Sequence, residues 1–69
     1  MTLSLTVNGQ PREVASGALS ELLSEEGVAP DARGVAVAVN DRVVTRSRWT
    51  EHTLAEGDRV EIVRATQGG

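Results

Sequence analysis

A chain of 69 residues makes one domain with a modest core, because a domain this small buries only about 60% of the surface its unfolded chain exposes, and little room remains for a deep pocket. Apolar residues are 39% of the whole, with one Trp and no Phe, Tyr or Cys; the core has to be aliphatic, and disulfides, thiol nucleophiles and zinc thiolate sites are excluded. The net charge is −3 and the 7 basic residues are all arginines set among acids, a solvated surface and not the basic stripe that nucleic-acid binding requires.

Thr2 to Val7 alternates strictly, with Leu3, Leu5 and Val7 on one side and Thr2, Ser4 and Thr6 on the other, which predicts a half-buried strand. Met1 is followed by this pattern and not by a basic region and an apolar run. No apolar stretch approaches the roughly 18 residues of a membrane span, so the expected location is the cytoplasm. Asn8-Gly9 is a strong hairpin signal, since both residues tolerate positive φ. A second strand follows from about Gln10 to Ala15, and Pro11, which lacks a backbone donor, assigns it to a sheet edge.

Ser16 is placed to cap a helix whose body runs from Ala18 to Glu26. Leu19, Leu22 and Leu23 form its apolar stripe; Glu21, Glu25 and Glu26 fall mostly on the solvated side, and Gly27 sits where a left-handed residue ends a helix. After a loop containing Pro30 and Gly34, Val35 to Val39 reads as a strand with large residues on one face and small ones on the other. Asn40-Asp41 turns the chain into a strand from Arg42 to Arg46. Ser47 is placed to cap a short helical turn through Trp49, read as a core plug. Glu56-Gly57-Asp58 makes another turn, and Arg59 to Arg64 is the last strand, with Val60 and Ile62 inward and Val63 outward. His52 is the only histidine, so no metal site is expected. Ala65 to Gly69 has no core pattern; the expected division is a folded domain over 1–64 and a flexible tail over 65–69.

Three segments carry a family resemblance. Val39-Asn40-Asp41-Arg42-Val43-Val44 resembles the hairpin of ThiS-family sulfur carriers. Arg46-Ser47-Arg48-Trp49, followed by His52, Leu54 and Gly57-Asp58, is similar to that family's Arg-x-x-Trp and Gly-Asp segment, and Gly68-Gly69 closes the chain as those carriers close. The resemblance spans essentially the whole chain. It departs from the family in a segment between Ala15 and Leu19 that is one residue shorter, and in the polar Arg64 and Gln67.

The resemblance implies an α+β, ubiquitin-like β-grasp. Its five-stranded mixed sheet would hold the first and last strands parallel at the centre, with the main helix (about 18–26) across one face and a short helical turn near 47–50. It implies a carrier protein and not an enzyme, a monomer that binds no cofactor itself. An adenylating partner of the ThiF type would use ATP and magnesium to activate the carboxylate of Gly69. A sulfur donor such as a cysteine desulfurase would convert it to a thiocarboxylate, and a thiazole synthase of the ThiG type would take the sulfur for thiamin. Gly68 would give clearance in a narrow channel, and Val63, Ala65, Thr66 and Gln67 would contact the partner. The chemistry suits this tail: a terminal carboxylate of pKa about 3.5 is ionised and unreactive until activated, and glycine threads a tight cleft with the widest backbone freedom. Other readings stay open at this point. They are another thiocarboxylate carrier (a molybdopterin synthase small subunit or a carrier for cysteine synthesis), a covalent protein modifier, and a β-grasp binding module without tail chemistry.

Overall fold

The computed structural model describes residues 2–65. Strands β1 (Leu3–Val7) and β2 (Gln10–Val14) form a hairpin; helix α1 (Leu19–Glu25) follows, then β3 (Val35–Val39), β4 (Arg42–Val44), a 3-10 turn (Arg46–Arg48) and β5 (Arg59–Arg64). The five strands lie in the order β2-β1-β5-β3-β4. β1 and β5 run parallel, and the remaining neighbours are antiparallel. This is the mixed β-grasp sheet that the resemblance implies, with β5 in the middle and Pro11 on an edge strand.

Both hairpins turn through positive φ. Asn8 and Gly9 have φ of 51° and 82°, and Asn40 and Asp41 have φ of 52° and 68°, the mirror-image geometry whose twist matches the strands it joins. Each turn asparagine also grips β5. The Asn8 amide donates to the Val60 carbonyl at 2.8 Å and Asn8 Oδ1 accepts from the Ile62 amide at 2.8 Å. On the opposite side, Asn40 donates its amide to the Arg59 carbonyl, accepts the Arg59 amide on Oδ1 and donates from Nδ2 to Asp58.

The core lies between one sheet face and α1. Leu19, Leu22 and Leu23 of the helix are buried against Leu5, Val7, Val37, Val39, Val60 and Ile62, as alternation and helical spacing predict. Trp49 is buried, and its indole Nε1 donates to the Val44 carbonyl at 2.9 Å, so the polar edge of the ring is satisfied.

Two boundaries and one set of contacts differ from expectation. The helix begins one residue later, and its N-cap is Ala18 and not Ser16. Ser16 Oγ accepts the Ala18 amide instead, and the orphan Leu19 amide is taken by the His52 carbonyl at 3.2 Å: the segment after Trp49 caps the helix from outside. Close approach there favours glycine, because a Cβ on Gly17 would stand 3.0 Å from the Leu54 carbonyl oxygen and push it back by a few tenths of an ångström. At the other end the expected stop holds in detail, with α1 closing through Glu26 as C-cap. Gly27 takes φ 81°, the Gly27 amide reaches the Ser24 carbonyl and the Val28 amide reaches Leu23, the paired bonds of a Schellman motif.

Secondly, β4 ends at Val44 and not at Arg46, since the carbonyls of Thr45 and Arg46 are taken by the amides of Arg48 and Trp49. Those bonds start the turn at Arg46, with Thr45 as its N-cap and no side-chain cap from Ser47. The third difference concerns the helix acids. Arg12 of β2 forms ion pairs with Glu25 and Glu26, so these two tie the edge strand to the helix. The hydrogen bond to Glu26, more than the neighbouring negative charges, pushes the Arg12 guanidinium further up from its ordinary value.

Candidate functional site

Two features of the described residues stand out from the compact body, both set by β5. One is the sheet face that the helix leaves open. Alternation along β5 turns Val60 and Ile62 inward and leaves Val63 62% exposed, while Val43 on β4 is 74% exposed. Val63 pairs with Ala36 and Val43 with Ala38. Two valines therefore stand on either side of a floor of small β3 side chains, a shallow apolar patch on an otherwise charged surface. At the turn end of the same sheet, Arg59 Nη2 meets Asp41 Oδ2 at 3.1 Å. Beside β4 the surface dips into a groove of about 420 Å³ lined by Arg42, Val43, Thr45, Arg48 and His52, among others. His52 is half-buried at its edge.

The second feature is the end of β5. Arg64 turns its side chain back to the helix C-terminus, where Nη2 donates to the Glu26 carbonyl at 2.5 Å. One residue on, the Ala65 amide donates to the Gly34 carbonyl at 2.6 Å. Gly34 has φ 71°, a conformation that favours glycine. The loop that carries it is held in turn by Arg46, whose Nη1 reaches the carbonyls of Asp31 and Ala32 at 3.3 and 2.8 Å.

Of the residues expected at the site, Val63 and Ala65 are placed by the structure, Val63 on the open face and Ala65 at the strand end. Thr66, Gln67, Gly68 and Gly69 lie outside the described residues. Sequence reasoning did not single out Val43, although Val43 and Val44 are adjacent in a strand and one of them has to face outward. Nor did it single out Gly34 or assign a partner to Arg64. Among the described residues no group of His, Asp or Glu is placed to hold a metal ion, and no helix is long and apolar enough to cross a membrane.

Comparison with known proteins gives consistent results. The model of the ThiS family matches residues 5–69. The chain is 38% identical to the sulfur carrier protein ThiS of Thermus thermophilus, over 91% of this chain and 95% of that one. It is also 38% identical, over 97% of its length, to a segment making up 20% of a thiazole synthase of Paramagnetospirillum magneticum. The crystal structure of a thiamine biosynthesis protein (ThiS) from Geobacter metallireducens superimposes with a TM-score of 0.77 at 38% identity, covering 97% of this chain and all of that one. A ubiquitin from Caldiarchaeum subterraneum shares the fold, with a TM-score of 0.51 at 20% identity.

Proposed function

The chain belongs to the ThiS family and is a sulfur carrier of thiamine biosynthesis, not a catalyst, and from that premise we propose that the sulfur travels on the carboxylate of Gly69. The observation that carries this reading is that the family match runs through Gly68 to Gly69. The carboxylate oxygen attacks the α-phosphorus of ATP in an adenylating enzyme, with magnesium, and pyrophosphate leaves. The acyl carbon now bears AMP as a leaving group; the terminal sulfur of a persulfide donor attacks it and AMP departs. A thiol reductant then cleaves the S–S bond to release the thiocarboxylate and the donor's thiol. In this scheme the chain supplies the reacting group and a recognisable body, and the partner supplies the cleft and the nucleotide.

The thiocarboxylate passes to a thiazole synthase. Support comes from the Paramagnetospirillum thiazole synthase, which contains a segment resembling 97% of this chain. The apolar patch around Val63 and Val43 is the surface that docks on the adenylating enzyme, as an exposed apolar cluster next to the reacting end is suited to do.

Intact-mass spectrometry tests the carrier step. The chain is incubated with an adenylating enzyme, ATP, magnesium, a sulfur donor and a thiol reductant, then fragmented. Exchange of one oxygen for one sulfur on Gly69 is the expected result. Sulfur on any other residue, or none in the presence of an active enzyme, would overturn the assignment.

A further inference from the structure

We propose that Arg64 and Gly34 form a clamp at the end of β5 and act as positioning residues for activation of the Gly69 carboxylate. The proposal rests on the carrier reading above and adds the residues that aim the tail. The first arm is the Arg64 side chain. Its Nη2 donates to the Glu26 carbonyl at 2.5 Å, one of the acceptors a helix leaves unpaired at its C-terminus, where a cation is electrostatically favoured. It passes over Gly27, where a Cβ would lie 4.0 Å from Nη2. The second arm is the backbone bond from the Ala65 amide to the Gly34 carbonyl at 2.6 Å. A Cβ on Gly34 would sit 3.4 Å from that of Ala65, so loop and strand end are in close contact.

The two arms reach different elements. Arg64 ties the strand end to α1, and Ala65 ties it to the loop before β3, which Arg46 fixes through the Asp31 and Ala32 carbonyls. With both made, Ala65 has a set position and direction relative to the rest of the domain. With the Arg64 arm removed, the strand end loses its tie to α1 and is held on one side only, by the β3 pairing of Arg64 with Val35 and the Ala65–Gly34 bond that continues it. Activation requires the carboxylate oxygen in line with a phosphorus atom in another protein, and a misplacement of about 1 Å can cost on the order of 100-fold in rate. Arg64 and Ala65 are both exposed and outside the core cluster, so a role in fold stability is separable from a role in aim.

The test is ATP–pyrophosphate exchange catalysed by the adenylating enzyme, measured across carrier concentration for the parent, Arg64→Ala and Arg64→Lys. For Arg64→Ala the expected result is a kcat lower by about 10- to 100-fold with KM changed by less than about twofold, because docking is intact and alignment is lost. Arg64→Lys, which retains a cationic donor for the Glu26 carbonyl, recovers most of that loss. Hydrogen exchange at the Ala65 amide is expected to be faster in Arg64→Ala than in the parent while the core amides stay protected. An unchanged kcat in Arg64→Ala, or a rise in KM alone, overturns the clamp. Absence of exchange with the parent chain overturns the carrier reading itself, and so separates the two failures.

Discussion

Asn8 and Ile62 are joined by a reciprocal pair of hydrogen bonds: the Ile62 amide donates to Asn8 Oδ1 at 2.8 Å, and Asn8 Nδ2 donates to the Ile62 carbonyl at 3.3 Å. The parallel pairing of β1 with β5 covers only Thr6 with Arg59 and Val7 with Val60. Beyond it, β1 turns away into its hairpin, and the Asn8 side chain continues the ladder in place of backbone. One asparagine thus satisfies both a turn that needs positive φ and a central strand that would otherwise lose a neighbour.

Asn8→Gly keeps the turn conformation, since glycine adopts φ 51° without strain, and removes only the side-chain clasp. Partly buried groups of Ile62 then lose their partners, at a cost of about 1–3 kcal/mol. Urea denaturation of parent and variant reads this directly. An unchanged midpoint would show that water replaces the clasp without loss.

Leu22 is 1% exposed at the centre of the helix stripe. Leu22→Ala is expected to destabilise by about 2–5 kcal/mol through lost burial and an unfilled cavity, a large part of the total for a small domain. The same denaturation experiment measures it, and a midpoint equal to that of the parent would contradict the packing described.

Val63→Glu and Val43→Glu alter side chains that are 62% and 74% exposed, so both variants should melt as the parent does. Each should weaken binding to the adenylating enzyme, because an unpaired charge in a desolvated contact is strongly unfavourable. Calorimetric titration checks the dissociation constants. A value unchanged in both variants would remove this face from the interface.

Deleting Gly69 leaves a carboxylate that is one residue short of the reacting phosphorus. Activation should nearly vanish, whereas the thermal melt should match the parent. Gly68→Ala retains the length and adds a methyl group in a tight channel. Overpacking of about 1–3 kcal/mol corresponds to roughly 5- to 150-fold in rate at 1.4 kcal/mol per decade. Pyrophosphate exchange at the parent rate by the shortened chain would refute Gly69 as the reacting residue.

The sequence is most legible where one local signal has one meaning. Alternation in Thr2 to Val7, Asn8-Gly9 and Asn40-Asp41, the Leu19-Leu22-Leu23 stripe and Gly27 all led to the observed elements, because each depends on backbone geometry within a few residues. Errors arose where a distant segment settled the outcome. Ser16 has the chemistry of a helix cap, yet the His52 carbonyl takes the first orphan amide. β4 stops at Val44, where the Trp49 indole binds its carbonyl, and Glu26 is paired because β2 brings Arg12 within reach. Around the site, the outward face of Val63 followed from period two, whereas the Gly34–Ala65 contact joins residues that no local pattern connects.

That contact also acts as a ruler. Measured from Ala65, where the Gly34 carbonyl holds the backbone, a fully extended chain spans at most about 13–14 Å to Gly69, at roughly 3.3–3.6 Å per residue. An enzyme that reads this carrier while the bond is intact must therefore bring its nucleotide within that distance of the domain's rim. A deeper cleft would have to peel Ala65 from Gly34 first. Cleft depth thus becomes a discriminator among partners, with shallow sites served by the resting carrier and deep ones only by a carrier whose Ala65–Gly34 bond has been broken.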